Sequence, residues 1–328
     1  MKGNVLALMI GLCMSNAYAT DVLDLDVALR NTYRACVDID ENLHDLKVLA
    51  GVNTAVTAVG SGLGIGATAV GLAKSNIDKQ IEQNFTDMAN LMNEYQGIEP
   101  TPDERNRWLE AAYTEIDRWG FDSDREEAAR KNAKLAQWVA EGTALEEEQK
   151  KLQGKSKKLG NWRTGLLAGN TATNVAGAII ASQTVNKNDI VGQIQTCVTA
   201  TTALSRAIAA ARITGVDTTE AEQIYNICRE YEFVDVSPIA KRGKSAMISS
   251  SVGAGLGGIG TITSGVANSK SVRDGNNPDK RKSLNTVSNV LSAGATVATV
   301  AATAFNAAQI NAIKKVADIS YKCTGVLK

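Results

Sequence analysis

The stretch GSGLGIGATAVGLAKS, from Gly60 to Ser75, contains five glycines and carries no charge before Lys74. Each glycine inside a helix costs about 1 kcal/mol relative to alanine, so five cost roughly 5 kcal/mol unless packing offsets them. A related stretch, GAGLGGIGTITSGVANSKS, runs from Gly253 to Ser271. We infer that both stretches are helical and that each needs one closely packed surface.

Glycines four residues apart lie on one face of a helix and let a second backbone approach closely. The pairs with this spacing are Gly60 and Gly64, Gly62 and Gly66, and Gly253 and Gly257. These six residues are the predicted helix-packing positions of a glycine zipper.

A stripe of larger apolar residues with heptad-like spacing runs beside the first glycines, as in a coiled coil. Its members are Val52, Val56, Val59, Leu63 and Val70. The segment therefore has two faces suited to packing against another helix. One is lined by large apolar side chains and the other by glycines.

Composition favours helices throughout the chain. Only 5% of residues are aromatic, 44% are hydrophobic, and there are four prolines among 328 residues. Few prolines and few aromatics, with much alanine, favour helices over strands. Lysine plus arginine equals aspartate plus glutamate at 35 each, so bulk charge gives no indication of a nucleic-acid partner.

Residues 1–19 read as a signal peptide of an exported, bacterial-type protein. Lys2 supplies the positive start, Val5 to Met14 form the apolar core, and Ala17 to Ala19 fit a cleavage site before Thr20. The alternative is a retained anchor, but the apolar core is too short to span a membrane. We expect the protein in the periplasm, at the outer membrane or secreted.

The sequence also suggests an internal repeat. YRAC ends at Cys36 and YNIC ends at Cys228, and a GLG follows each cysteine at nearly equal spacing. The predicted units are residues 20–212 and 218–328, with a linker at 213–217. Coincidence between glycine-rich stretches is the alternative.

Each predicted unit contains two charge-free segments. They are Val48–Ala73, Thr164–Asn186, Ser245–Ser269 and Ser283–Ile313. A short polar loop, Lys270 to Lys282, joins the last two, which predicts an antiparallel helical hairpin. In the first unit the loop is replaced by a charged helical insertion at about 75–163.

Four cysteines remain after the signal peptide, and an exported chain favours disulfides over metal ligation. The repeat predicts the pairs Cys36–Cys197 and Cys228–Cys323, one in each unit. Cys197–Cys228 is the rival pairing, because those two residues are close in sequence.

Motifs for catalysis or cofactor binding are not apparent. His44 is the single histidine, and we expect it to be a solvated helix residue. GAGLGG, from Gly253 to Gly258, matches a dinucleotide fingerprint literally, but the sequence around it does not fit a βαβ unit. We therefore predict a non-enzymatic protein with no cofactor and no metal.

The four segments are long enough to span a bilayer, but their apolar content makes insertion marginal. The charge nearest each segment end is basic. These residues are Lys47, Lys74, Arg163, Lys187, Lys244, Lys270, Lys282 and Lys314. Basic ends suit anionic lipid headgroups, and the predicted membrane-surface residues are Lys241, Arg242, Lys244, Lys280, Arg281 and Lys282. A water-soluble bundle with basic caps is the alternative.

Two function hypotheses follow. The first is an exported helical scaffold that self-associates, or docks on a membrane or a membrane-associated protein, through its glycine-rich hairpins. The second is a secreted α-helical pore-forming protein that inserts its hairpins as an oligomer.

Overall fold

The computed structural model describes residues 24–98, 100–113, 119–186, 189–273 and 278–327. Of these residues, 95% are helical and none lies in a β-strand, which confirms the predicted all-helical fold. The predicted signal peptide lies outside the described residues. The internal repeat stays a prediction.

Four long helices of 60, 68, 31 and 50 residues account for most of the described chain. In chain order the elements are α1 (24–36), α2 (Ile39–Ile98), α3 (Pro102–Tyr113), α4 (Trp119–Asn186), α5 (Ile190–Ile213), α6 (Thr219–Cys228), a 3-10 turn (Arg229–Phe233), α7 (Ser237–Ala267), α8 (Lys270–Arg273) and α9 (Pro278–Leu327).

The predicted insertion is helical where it is described, but its ends are not element boundaries. Helix α2 continues past Lys74, and α4 passes Arg163 without a break. Neither point carries a proline. The chain breaks instead before α3, where the Thr101 and Glu104 backbone N–H groups each donate to the other residue's side chain, at 2.8 and 3.3 Å. This reciprocal pair is a capping box.

Contacts divide the chain into two compact units. The first unit contains the described parts of Met1–Ile65, Ala168–Gly258 and Ala293–Lys328. The second unit contains those of Gly66–Leu167 and Ile259–Ser292. Each long helix contributes residues to both units. The units predicted from the repeat, 20–212 and 218–328, describe two copies of one ancestral unit. They stay a prediction.

Helices α2 and α4 are antiparallel in the first unit. Gly60 lies against Thr173, whereas Leu63, further along α2, contacts Gly169, which is earlier in α4. Helices α7 and α9 are paired in the same way. There Leu256 contacts Gly294, and the side-chain amide of Gln309 donates to a main-chain carbonyl near the start of α7, at 3.1 Å.

The two hairpins of the first unit also contact each other. Asn53 of α2 donates from Nδ2 to Asn306 Oδ1 of α9 at 3.0 Å. Gly253 of α7 lies against the amide of Asn174 in α4. These contacts make a four-helix bundle in which each helix has two antiparallel neighbours.

One part of the first unit has a conventional apolar core. It surrounds the cysteines, which are fully buried, and it joins the ends of the long helices to α5 and α6. Its largest members include Leu43, Leu46, Ile190, Ile194, Leu204, Ile208, Tyr231, Ile313 and Val316. Burial of such side chains stabilises a fold by about 1.5–3 kcal/mol each.

Between Ala50 and Gly64, the buried positions of α2 hold small or polar residues. In the first unit they follow each other at intervals of three and four residues, as Ala50, Asn53, Thr57, Gly60 and Gly64. The interval is that of a coiled-coil seam, but the residues are small or polar. We use the name polar seam for the inward-facing small or polar residues of the four long helices.

The apolar stripe is exposed in part, since Val56, Leu63 and Val70 are half-buried and Leu63 contacts α4. Val59 is 59% exposed, and Val52 is also exposed. Helix α2 therefore buries the face that carries small residues and leaves Val52 and Val59 on the other face. The glycine face is buried because it lets neighbouring backbones approach more closely than a row of valines would.

Candidate functional site

Both disulfides predicted from the sequence are present. Cys36 is bonded to Cys197 and Cys228 to Cys323, with Cα–Cα distances of 5.0 and 4.8 Å. The rival Cys197–Cys228 pairing is therefore wrong. The sulfur atoms of Cys36, Cys197 and Cys323 all lie within 4.8 Å of one another, so the two disulfides are neighbours. Since these sulfurs are bonded in pairs, they do not offer thiolate ligands to a metal.

The predicted packing glycines occupy two kinds of position. Gly60 and Gly64 are buried, and a methyl group at either would collide with a threonine hydroxyl of a neighbouring helix. Gly253 and Gly257 are also buried and meet Asn174 and Thr171, each at 2.7 Å. These four glycines pack helices within the chain.

Gly62 and Gly66 differ from the other four. A methyl group at Gly62 would meet nothing within 4 Å, because this glycine lies on the exposed face of α2. At Gly66 the nearest atom belongs to Leu166 at 3.5 Å, an ordinary contact. Packing within the chain does not offset the cost of Gly62.

The polar seam of the first unit is tied together by side-chain amides and hydroxyls. Asn174 donates from Nδ2 to Thr299 Oγ1 at 2.8 Å and to Asn170 Oδ1 at 2.9 Å. Thr299 in turn donates to the carbonyl of Ala295 at 2.7 Å. The sequence interpretation missed these residues, although their spacing of three and four residues could have identified them.

Several polar atoms of the same seam have no hydrogen-bond partner among the described residues. They are Asn53 Oδ1, Asn170 Nδ2 and Ser250 Oγ. Two of them, Asn53 Oδ1 and Ser250 Oγ, each lie 3.2 Å from the position of a methyl group added at Gly177. An unsatisfied buried polar atom costs about 1–3 kcal/mol, and the described side chains do not by themselves offset that cost for these three atoms.

The second unit buries charge. Lys74 is 3% exposed and donates from Nζ to Asp78 Oδ2 at 2.7 Å. Asn285 Nδ2 and Ser156 Oγ also donate to the Asp78 carboxylate, at 2.8 and 2.7 Å. Burial lowers the pKa of Lys74, and the neighbouring Asp78 carboxylate partly opposes that effect.

Arg163 is buried more deeply and is less well paired. It is 1% exposed, and its Nε and Nη2 have no partner among the described residues. Burial lowers the pKa of its guanidinium to about 10. Gly71 leaves the space that this side chain fills, since a methyl group there would lie 3.0 Å from Nε. Lys74 and Arg163 thus face the interior, not the surface where the basic segment ends were expected.

The predicted membrane-surface residues lie in both units. In the first unit Lys241 and Lys244 are exposed, whereas Arg242 is half-buried and donates from Nη1 to the Ala308 carbonyl at 2.6 Å. In the second unit Lys280 and Lys282 are exposed and Arg281 is half-buried. Lys187, another predicted segment end, lies outside the described residues.

The outward faces of the four long helices are apolar over part of their length. Ile262 of α7 is 68% exposed and Val297 of α9 is 70% exposed. Other exposed members of these faces are Val48, Val52, Val59, Ile65, Leu72, Val175, Ile179, Ile248, Val252, Ile259, Val266, Val287, Val290 and Val300. Two described helical stretches, Asp24–Gln96 and Asp279–Leu327, are long and apolar enough to cross a membrane by length and composition alone.

His44 lines an open cleft in the first unit with a volume of about 700 Å³. Asp38, Asp40, Glu41 and Asp318 also line it. The imidazole is exposed, and no described carboxylate accepts a hydrogen bond from it. A catalytic histidine is normally oriented by such a partner, so the cleft offers no assembled acid–base pair.

Replacing Gly60 and Gly62 one at a time by alanine should have opposite effects. Gly60→Ala should destabilise the fold by about 1–3 kcal/mol, because its methyl group collides with Thr173. Gly62→Ala should stabilise it by about 0.5–1 kcal/mol, because the methyl group is unopposed and the unfolded chain loses freedom. Denaturant unfolding followed by circular dichroism measures both. Equal effects at the two positions would contradict the assignment of faces.

Replacing Cys228 by serine should allow disulfide exchange. The freed Cys323 thiolate can attack the adjacent Cys36–Cys197 bond, so that one disulfide forms, one breaks and one thiolate is released. Peptide mapping after alkylation should then show Cys323 bonded to Cys36 or Cys197 in part of the sample. The variant lacking both Cys228 and Cys323 is the control and should contain Cys36–Cys197 alone. A fully free Cys323 in the single variant would refute the expected exchange.

No family model matches the chain, and neither a similar curated protein nor a similar solved structure was found.

Proposed function

We propose that this chain is an exported, non-enzymatic helical protein that associates with a membrane through the outward faces of its four long helices. One observation carries the proposal: along their glycine-rich stretches the helices bury mostly small and polar residues and expose valine and isoleucine. A water-soluble bundle has the reverse arrangement, with large apolar side chains inside. Contact with acyl chains would remove the apolar faces from water.

The length of the apolar faces supports this assignment. On α2 the exposed apolar residues extend from Val48 to Leu72, and on α9 they extend from Val287 to Phe305. A transmembrane helix needs about 20 residues, so both stretches are long enough by sequence length.

The polar seam also suits a lipid environment. Association of helices in a membrane depends on small residues that allow close approach and on hydrogen bonds between helices. The seam of the first unit has both, in Gly60 and Gly253 and in the bonds that join Asn53 to Asn306 and Asn174 to Thr299. Such a seam gives little hydrophobic stabilisation in water but holds helices together in lipid.

Two disulfides support an oxidising compartment, because cytosolic thiols are kept reduced. Together with the predicted signal peptide, they favour export to the periplasm, the outer membrane or the medium.

Self-association within the membrane is a second candidate. Gly62 and Gly255 lie on the outward faces, and a methyl group at either would meet nothing within 4 Å. Each costs about 1 kcal/mol that contacts within the chain do not offset. A second copy packed against these glycines would supply the missing contact.

The pore-forming alternative needs the polar seams to open and line an aqueous path. It differs from simple membrane association in one measurable respect, because only a pore releases a small dye trapped inside vesicles.

A lysine placed on an outward face should separate membrane association from a soluble bundle. We expect Ile262→Lys or Val297→Lys to lower the fraction of protein that floats with phosphatidylcholine vesicles in a density gradient. A lysine at mid-membrane costs about 2.5–3.5 kcal/mol, which corresponds to roughly a hundredfold weaker partitioning.

Val139→Lys is the matched control, because Val139 is also half-exposed but lies in the charged part of α4. It should float like the parent protein. Unchanged flotation of Ile262→Lys, or a parent that does not float at all, would refute the proposal and favour the soluble bundle.

A further inference from the structure

We propose that the exposed face of α4 around Trp162 binds the headgroups of anionic phospholipids. This inference rests on the proposed membrane association and adds to it the lipid class and the place of contact.

Cationic and aromatic side chains lie next to one another on this face. Lys155, Lys158 and Trp162 are exposed and recur at intervals of three and four residues, which places them on one side of the helix. Trp162 lies about 6 Å beyond Lys158 along the helix axis. An indole ring within one or two helical turns of two ammonium groups is the combination that the interface of an anionic membrane favours.

Trp162 is 69% exposed, which sets it apart from the other tryptophans with described side chains. Trp138 donates from Nε1 to the Leu91 carbonyl at 2.5 Å. The ring of Trp108 lies 5.5 Å from the Lys131 ammonium. Tryptophan concentrates at membrane interfaces because its ring is apolar and its N–H is polar. An exposed tryptophan one turn from an exposed lysine fits that location.

The start of α9 lies at the same level in the second unit. Asp78 accepts hydrogen bonds from both Ser156 of α4 and Asn285 of α9, at 2.7 and 2.8 Å. Exposed Lys282, one turn before Asn285, therefore adds positive charge beside this part of α4. Asp78 itself is half-buried and paired with Lys74, so most of its charge is neutralised within the chain.

The test measures flotation with two kinds of vesicle, phosphatidylcholine alone and phosphatidylcholine mixed with phosphatidylglycerol. The full oxidised chain should bind the anionic vesicles more strongly at low salt. In the double variant Lys155→Gln with Lys158→Gln, binding to anionic vesicles should fall about thirtyfold, with binding to neutral vesicles unchanged. The double variant Arg130→Gln with Lys134→Gln removes the same charge from a distant part of α4 and should behave like the parent.

Fluorescence quenching locates the tryptophan. Lipids brominated near the headgroup end of the acyl chain should quench the protein more than lipids brominated near the methyl end. That difference should disappear in Trp162→Phe. Unchanged anionic preference in the Lys155 and Lys158 variant, or identical quenching of Trp162→Phe and the parent, would overturn the headgroup site. Failure of the parent to float with either vesicle would instead overturn the proposed membrane association.

Discussion

Close approach of helices through small side chains is the constraint on which the rest of this structure depends. At inward-facing glycines such as Gly60 and Gly253, a neighbouring side chain fills the space that a methyl group would need. Large apolar residues do not fit there. They are therefore left on the outward faces, where Val59 and Val297 are exposed. The inward position of the glycines and the outward position of the valines thus both follow from the close approach of the helices.

The apolar core around the disulfides has a different role. It is the part of the first unit in which Leu43, Ile194 and Ile313 are buried in the ordinary way. Two disulfides join helices that are far apart in sequence there, and cross-links of this kind stabilise mainly by restricting the unfolded chain. The polar seam buries small and polar residues and therefore gains less from burial. Within the first unit, stability in water is accordingly concentrated in this core.

Much of the fold could be predicted from the sequence, because helix content and cysteine spacing are local or repeated signals. The pairing of Cys36 with Cys197 followed from the predicted repeat, which places two cysteines in each unit. The buried face of α2 could not be chosen, since the stripe with Val59 and the face with Gly60 both have coiled-coil spacing. Burial of Lys74 and Arg163 was also missed. Each depends on partners far along the chain, such as Asn285 for Lys74 and Gly71 for Arg163.

The central claim is that the outward helix faces meet lipid. Its most direct test is the collision rate of nitroxide spin labels placed one at a time at Val59, Val175 and Val297 in protein reconstituted into vesicles. Oxygen concentrates in the hydrocarbon of a bilayer, whereas a charged nickel chelate stays in water. We predict that all three labels collide often with oxygen and seldom with the chelate, while a label at exposed Lys134 shows the reverse. Frequent collisions with the chelate at Val59, Val175 and Val297 would contradict the claim and place these faces in water.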